Sequence, residues 1–315
     1  MTQHESEMMG RGLHGGELTS NIFDTALIFE GGGMRVSYTA AVVNTLLEQD
    51  LYFDNVYGLS AGASNTVNYL SRDSDRVKRS FVDLVDMDDF GGMRSLLLHK
   101  GMFNARKIYQ EACKPGGFLP YDFQTFAANP AKCTISSFER DTGRTVYWTK
   151  RELSTLDEVM VRVRASSTLP LLMPPPLVDG KRYYDGGLGE GAGFMLPKAK
   201  ADGFTRFFIV RTRPKEYRKQ DPHGFVAKLT NAMLWRRPRL REALARRADA
   251  YNAQCEEIER LQAEGQAYVF YAEGMNVESG TTDKAALQAS YDMGWEQAHR
   301  ELPAMLAFLE GHIER

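Results

Sequence analysis

Short apolar runs alternate along the chain with longer stretches whose apolar positions recur at helical spacing. Ala26-Leu27-Ile28-Phe29 reads as a buried strand, and Gly31-Gly32-Gly33 breaks it. From Met34 to Gln49, the positions Tyr38, Val42 and Leu46, with Val43 and Leu47, keep one helical face. Val56-Tyr57-Gly58-Leu59 reads as a second strand and Ala61 to Leu70 as a second helix. Strand, loop, helix, strand, turn, helix implies a parallel sheet with right-handed crossovers. Lys132 to Phe138 and Arg144 to Trp148 read as strands joined by a turn at Asp141-Thr142-Gly143. Phe207 to Val210 and Tyr268 to Tyr271 are further strands. Pro238 opens a helix with Leu240, Leu244, Tyr251, Cys255, Ile258 and Leu261 on one stripe. Leu287, Tyr291, Trp295, Ala298 and Leu302 make a last stripe, which Pro303 should kink or split. The expectation is an α/β fold.

Length and composition narrow the class. The 315 residues are 43% hydrophobic and 25% charged, as in a globular protein with a full core. Lys+Arg number 39 and Asp+Glu 41, a net charge of −2, which argues against a nucleic-acid-coating protein. Cys113, Cys133 and Cys255 are odd in number and far apart, so no disulfide framework or CxxC metal site is visible. A reduced, cytoplasmic compartment is expected. No apolar run reaches the ~18 residues of a membrane span. Residues 1–24 lack an apolar core for a secretory signal and read as a polar tail, with 25–315 as one domain.

Gly58-Leu59-Ser60-Ala61-Gly62 fits G-x-S-x-G. A serine forced between a strand end and a helix start points its oxygen out of the sheet, and its neighbours at ±2 must be small. The plainer reading is a tight turn with Ser60 as an N-cap. Three consecutive glycines after the first strand let the backbone approach a ligand with its N–H groups turned inward, as an anion nest or oxyanion hole. A phosphate loop would end in G-K-[ST], and a dinucleotide fingerprint needs a glycine where Val36 stands.

A serine nucleophile needs a base. Of six histidines, His4, His14, His99, His223, His299 and His312, none sits in a tight turn. Asp185, in Tyr183-Tyr184-Asp185-Gly186-Gly187, ends a strand and precedes two glycines. It reads either as a simple D-G turn or as a desolvated carboxylate that takes the serine proton directly, without an imidazole.

Together these residues resemble the patatin-like phospholipases, which carry a glycine-rich loop, a G-x-S-x-G elbow and a D-G-[GA] motif in this order. Here the three are Gly31 to Val36, Gly58 to Gly62 and Asp185-Gly186-Gly187. The stretch Ala165 to Pro174 and, more loosely, Lys100-Gly101-Met102-Phe103-Asn104 are also similar. The resemblance covers roughly residues 25–210. It implies a three-layer α/β sandwich with a mostly parallel central sheet. It implies a lipid or acyl-ester substrate, Ser60 as nucleophile and Asp185 as base, with no metal or other cofactor. It also implies an oxyanion and substrate-binding group of Gly31, Gly32, Gly33, Met34, Arg35 and Ala61, framed by Gly58, Gly62, Gly186 and Gly187. Val36 replaces the last glycine of the first motif, which implies altered helix packing rather than a dead site.

Two other readings stand beside this one. An α/β-hydrolase with a Ser-Asp-His triad would use His223, His299 or His312. A non-catalytic scaffold would keep the fold without turnover. Asp86-Met87-Asp88-Asp89 lacks the loop pattern of a calcium site. Arg206 to Arg247 holds 13 Lys/Arg against three acids, interleaved with Phe225, Leu229, Met233, Leu234 and Trp235. It reads as a solvated helix face or as a peripheral contact with an anionic membrane. Met93 to Met102 reads as an apolar rim of the acyl pocket or an ordinary buried helix.

Overall fold

The computed structural model describes residues 18–91, 103–221 and 232–314. Residues 1–17, His99, Lys100 to Met102, His223, Phe225 and Leu229, and with them the proposed rim from Met93, lie outside the described residues.

The chain alternates β1 (Thr25–Phe29), α1 (Val36–Glu48), β2 (Asn55–Leu59), α2 (Ala61–Leu70) and α3 (Ser74–Arg79). Then come α4 (Phe123–Ala128), the hairpin β3 (Lys132–Glu139) and β4 (Thr145–Thr149), α5 (Leu156–Ser166), β5 (Leu177–Val178) and β6 (Lys181–Asp185). The last part holds α6 (Leu196–Ala201), β7 (Arg206–Val210), α7 (Pro238–Ala263), β8 (Ala267–Phe270) and α8 (Lys284–Leu309). The sheet order is β5-β6-β3-β2-β1-β7-β8, with β4 on the other edge of β3. Strands β3, β2, β1, β7 and β8 run parallel, while β4, β5 and β6 join by antiparallel pairs.

Strand alternation makes the three layers. Leu27, Phe29, Val56, Phe208 and Val210 face a core shared with α1, α2, α5 and α8. Ala26, Ile28, Tyr57, Leu59, Phe207 and Ile209 face a second core shared with α6 and α7. Both faces are apolar, so the central strands are continuous hydrophobic runs.

Three readings of the sequence need adjustment. Helix α8 runs unbroken through Pro303, because its stripe, from Leu287 and Tyr291 to Met305 and Leu309, is buried along the whole length. That burial outweighs one missing backbone hydrogen bond. Residues 21–24, read as the end of a tail, are held in place. Ile22 is fully buried and bridges Phe53, and Asn21 accepts from the Tyr52 N–H at 2.8 Å. The strand at Phe207 begins at Arg206, and those at Arg144 and Tyr268 are displaced by one residue.

The register sets up the site. β4 takes one edge of β3 over Thr134 to Phe138, so β2 and β6 share the other edge end to end. Leu59 pairs with Ser136 and Asp185 with Ser137. Consecutive residues of one strand thus bring the residue before Ser60 and the carboxylate of Asp185 together. The order also reverses at β1, with β2 on one side and β7 on the other. Loops leaving such a switch point diverge and open a crevice at the carboxyl ends of the strands.

Candidate active site

A cavity of about 420 Å³ occupies that crevice. Ser60 and Asp185 both line it.

Ser60 sits between β2 and α2 with φ 54° and ψ −134°. A non-glycine residue in this region costs about 1–3 kcal/mol, and such strain persists only where the surroundings impose it. The surroundings here are tight. A Cβ at Gly62 would lie 2.4 Å from the Phe29 carbonyl oxygen, and one at Gly58 would lie 2.4 Å from the Gly62 oxygen. The elbow therefore needs glycine at both flanks because α2 starts directly against the ends of β1 and β2. The Ser60 N–H donates to Ser166 Oγ at 2.8 Å, which donates to the Ser136 carbonyl at 2.6 Å. Ser166 pins the strained turn to β3.

Asp185 is 2% exposed. Its N–H donates to the Thr168 carbonyl at 2.8 Å, and its Oδ1 accepts from the Gly187 N–H at 2.7 Å. Burial pushes its carboxyl pKa up. The Arg247 charge, the nearby Ser60 hydroxyl, the Gly187 N–H and the Lys219 charge offset part of that rise. Arg247 also donates through Nε to the Gly187 carbonyl at 2.9 Å, fixing the turn after Asp185.

The glycine loop divides into bound and free donors. The Gly31 N–H donates to the Gly193 carbonyl at 3.3 Å and the Met34 N–H to the Ser279 carbonyl at 3.1 Å. These two are thus not open donors. The N–H groups of Gly32, Gly33 and Ala61 have no hydrogen-bond partner among the described residues, and all three residues line the cavity. Ala61 opens α2, so its N–H lies at the positive end of a helix dipole. Gly33 has φ +59°, and a Cβ there would lie 2.5 Å from the Ser279 oxygen. The loop is clamped from the C-terminal part of the chain. Glu30, immediately before it, accepts from the Thr212 N–H at 2.5 Å and from the Tyr251 hydroxyl at 2.6 Å. Arg35 lines the cavity and pairs with Glu278 at 3.6 Å. Val36 begins α1 fully buried, where a β-branched side chain fills core space.

Neighbouring walls differ in character. Residues such as Phe81, Leu84, Phe90, Phe103, Leu119 and Met173 give an apolar wall suited to an acyl chain. Tyr109, on a π-helical turn, joins this wall. Arg213, Tyr217, Lys219, Arg247 and Tyr251 give a polar one. Neither described histidine of the triad alternative lines the cavity. His299 sits between the Trp295 carbonyl and Glu48, and His312 beside Asp24. Sequence reasoning missed Ser166, Ser279, Arg213, Lys219 and Arg247 as site residues. The basic run from Arg206 marked the region of three of them without separating inward from outward side chains.

Comparison with known proteins places the chain in a family. The patatin-like phospholipase model matches residues 27–197, and a domain of unknown function (DUF6363) matches residues 237–310. No curated protein matches. Among solved structures, VipD from Legionella pneumophila is 11% identical, with 92% of this chain and 67% of that chain covered at a TM-score of 0.48. The match from Leu27 to Pro197 spans more than half of the 315 residues and contains the glycine loop, the Ser60 elbow and the Asp185 turn, so the chain belongs to the patatin-like phospholipase family of lipid acyl hydrolases.

Proposed function

We propose that the protein hydrolyses an acyl ester of a lipid through a Ser60–Asp185 dyad. The carrying observation is a strained serine and a fully buried carboxylate that share one cavity, beside free backbone donors and an apolar wall. Ser60 Oγ attacks the ester carbonyl as Asp185 takes its proton. The tetrahedral oxyanion accepts hydrogen bonds from the N–H groups of Gly32, Gly33 and Ala61. Asp185 then protonates the departing alcohol, and the acyl-enzyme forms. Water, deprotonated by Asp185, attacks this ester, and the fatty acid leaves as Ser60 regains the proton. Atoms and charge balance without a metal.

The pH dependence follows from the base. Asp185 must be ionised to act, and burial holds its pKa above the ordinary carboxylate value. Activity on p-nitrophenyl esters is therefore expected to fall on the acid side with an apparent pKa above ~3.9. It is also expected to rise from short to medium acyl chains as the apolar wall fills. An acid limb at the ordinary carboxylate value, with no chain-length preference, would count against this site.

Three free, buried cysteines support a reduced, cytoplasmic setting. Among the described residues no helix is long and apolar enough to cross a membrane. Peripheral contact is part of the proposal. Met233 and Trp235 are 56% and 69% exposed, beside the exposed Arg236, Arg237 and Arg239 at the start of α7. Pelleting with anionic liposomes is expected at low salt, weaker at high salt and weaker again in Trp235→Ala. Absence of binding at any salt would remove the membrane contact.

A further inference from the structure

The polar wall of the cavity gathers four cations from three separate stretches of chain. Arg35 follows the glycine loop, Arg213 and Lys219 lie on the segment after β7, and Arg247 lies on α7. All but Arg35 lie beyond the residues matched by the family model, and Arg247 lies within the DUF6363 match.

Their negative neighbours do not use them up. Glu30 and Asp185 are buried, and Glu30 is engaged by the Thr212 N–H, the Tyr251 hydroxyl and the charge of the fully buried Arg211. Glu278, 77% exposed, is shared between Arg35 at 3.6 Å and Arg213 at 3.5 Å. Among the described residues, no carboxylate lies within ion-pair distance of Lys219 or Arg247; the buried Asp185 carboxylate feels both charges only at longer range. Burial, with repulsion from Arg247, Arg35 and Arg213 and against the attraction of Glu30, lowers the Lys219 pKa to about 8.

The cluster is also held in place. The Lys219 N–H donates to Asn252 Oδ1 at 2.8 Å, and Asn252 Nδ2 returns a bond to the Lys219 carbonyl at 3.0 Å. The Lys219 ammonium lies 4.8 Å from the Tyr251 ring centroid, and the Arg213 guanidinium 4.3 Å from that of Tyr217. Arg247 is anchored at Gly187, two residues after Asp185. Fixed, mutually repelling cations in a partly desolvated crevice are relieved by an anion.

We infer that Arg35, Arg213, Lys219 and Arg247 form a subsite for the phosphate of the substrate headgroup, so that the protein prefers acyl esters whose headgroup carries net negative charge. This rests on the acyl-hydrolase reading of the same cavity. It also gives the C-terminal region a task, since α7 and the segment leading to it supply the charge selection. The acyl chain lies along the Leu84–Phe90 wall and the ester carbonyl at Ser60. The phosphate then meets the bidentate donors of arginine, which suit its oxygens.

The test measures binding on the full-length Ser60→Ala protein, where no turnover is needed. Calorimetry compares three ligands of equal short acyl chain, below their micelle concentrations: lysophosphatidic acid, lysophosphatidylcholine and monoacylglycerol. Lysophosphatidic acid is expected to bind at least tenfold more tightly than either of the others, with the advantage shrinking as salt rises. Arg213→Gln and Lys219→Gln are each expected to reduce that advantage at least threefold. Their circular dichroism spectra and melting temperatures report whether they fold. Inorganic phosphate at millimolar concentration is expected to compete with the lysophosphatidic acid. Equal affinity for the three lipids would overturn the subsite. Inorganic phosphate binding as tightly as lysophosphatidic acid would assign the cluster to a free phosphate and overturn the headgroup assignment. Because Ser60 is absent from this assay, a failed dyad leaves its outcome intact, and covalent labelling of Ser60 tests the dyad separately.

Discussion

Replacing Ser60 by alanine is expected to lower kcat/KM toward a medium-chain acyl ester by about 10,000-fold. The hydroxyl forms the covalent intermediate, and the donors at Gly32, Gly33 and Ala61 cannot supply a nucleophile. What remains is the modest catalysis of an oxyanion hole acting on water. The backbone makes a second, independent demand at this position. At φ 54° and ψ −134°, alanine keeps the strain of the serine, whereas glycine relieves it. Ser60→Gly is therefore expected to be equally inactive yet to melt above Ser60→Ala, by the equivalent of about 1 kcal/mol or more. Fluorogenic ester hydrolysis and thermal unfolding of both variants check the two claims. Inactive variants with equal melting temperatures would show that the elbow stores no strain.

Asp185→Asn is expected to reduce turnover at least about a thousandfold, because an amide cannot take the serine proton. The same change is expected to stabilise the fold at pH 8. Burial raises the Asp185 pKa, so the folded state favours the protonated form more than the unfolded chain does. Above the folded pKa the carboxylate is charged in both states, and the folded state bears the desolvation penalty. Below the unfolded value of ~3.9 the carboxyl is neutral in both states and the penalty is gone. Asparagine never carries the charge. Its melting-temperature advantage should thus be largest at pH 8 and shrink as the pH falls toward 4. An Asp185→Asn protein less stable than wild type at pH 8 would mean that the contacts with Arg247, the Ser60 hydroxyl and the Gly187 N–H outweigh burial.

The features legible in the sequence are those that act locally. A glycine at each flank of Ser60, three glycines after β1 and two after Asp185 encode tight backbone geometry within a few residues. The apolar runs of β1, β2 and β7 mark strands buried on both faces. What stayed hidden depends on contacts across the chain. Ser166 supports the elbow from 106 residues away, and Ser279 holds the Met34 N–H from the far end of the sequence. β5 has only two residues, too few for any periodic signal. Val159, Met160 and Val163 of α5 do follow helical spacing, but Arg162 and Arg164 interrupt the stripe, and Arg162 is itself buried against Trp148. Met34 and Gly31 illustrate a further limit. A glycine-rich loop suggests free donors, yet only the folded partners at Ser279 and Gly193 reveal which N–H groups are taken. Pro303 misleads in the other direction, since a local rule against helix interiors yields to a buried stripe in α8.

Covalent labelling tests the central claim most directly. Wild type, Ser60→Ala and Asp185→Asn are incubated with a fluorophosphonate, and adducts are located by peptide mass spectrometry. The Ser60–Asp185 dyad predicts a single adduct on Ser60 in wild type and none in Ser60→Ala. It predicts labelling at least about a hundredfold slower in Asp185→Asn. Folded wild type that stays unlabelled at Ser60, with detergent or liposomes present, would contradict an activated serine and leave the fold as a scaffold.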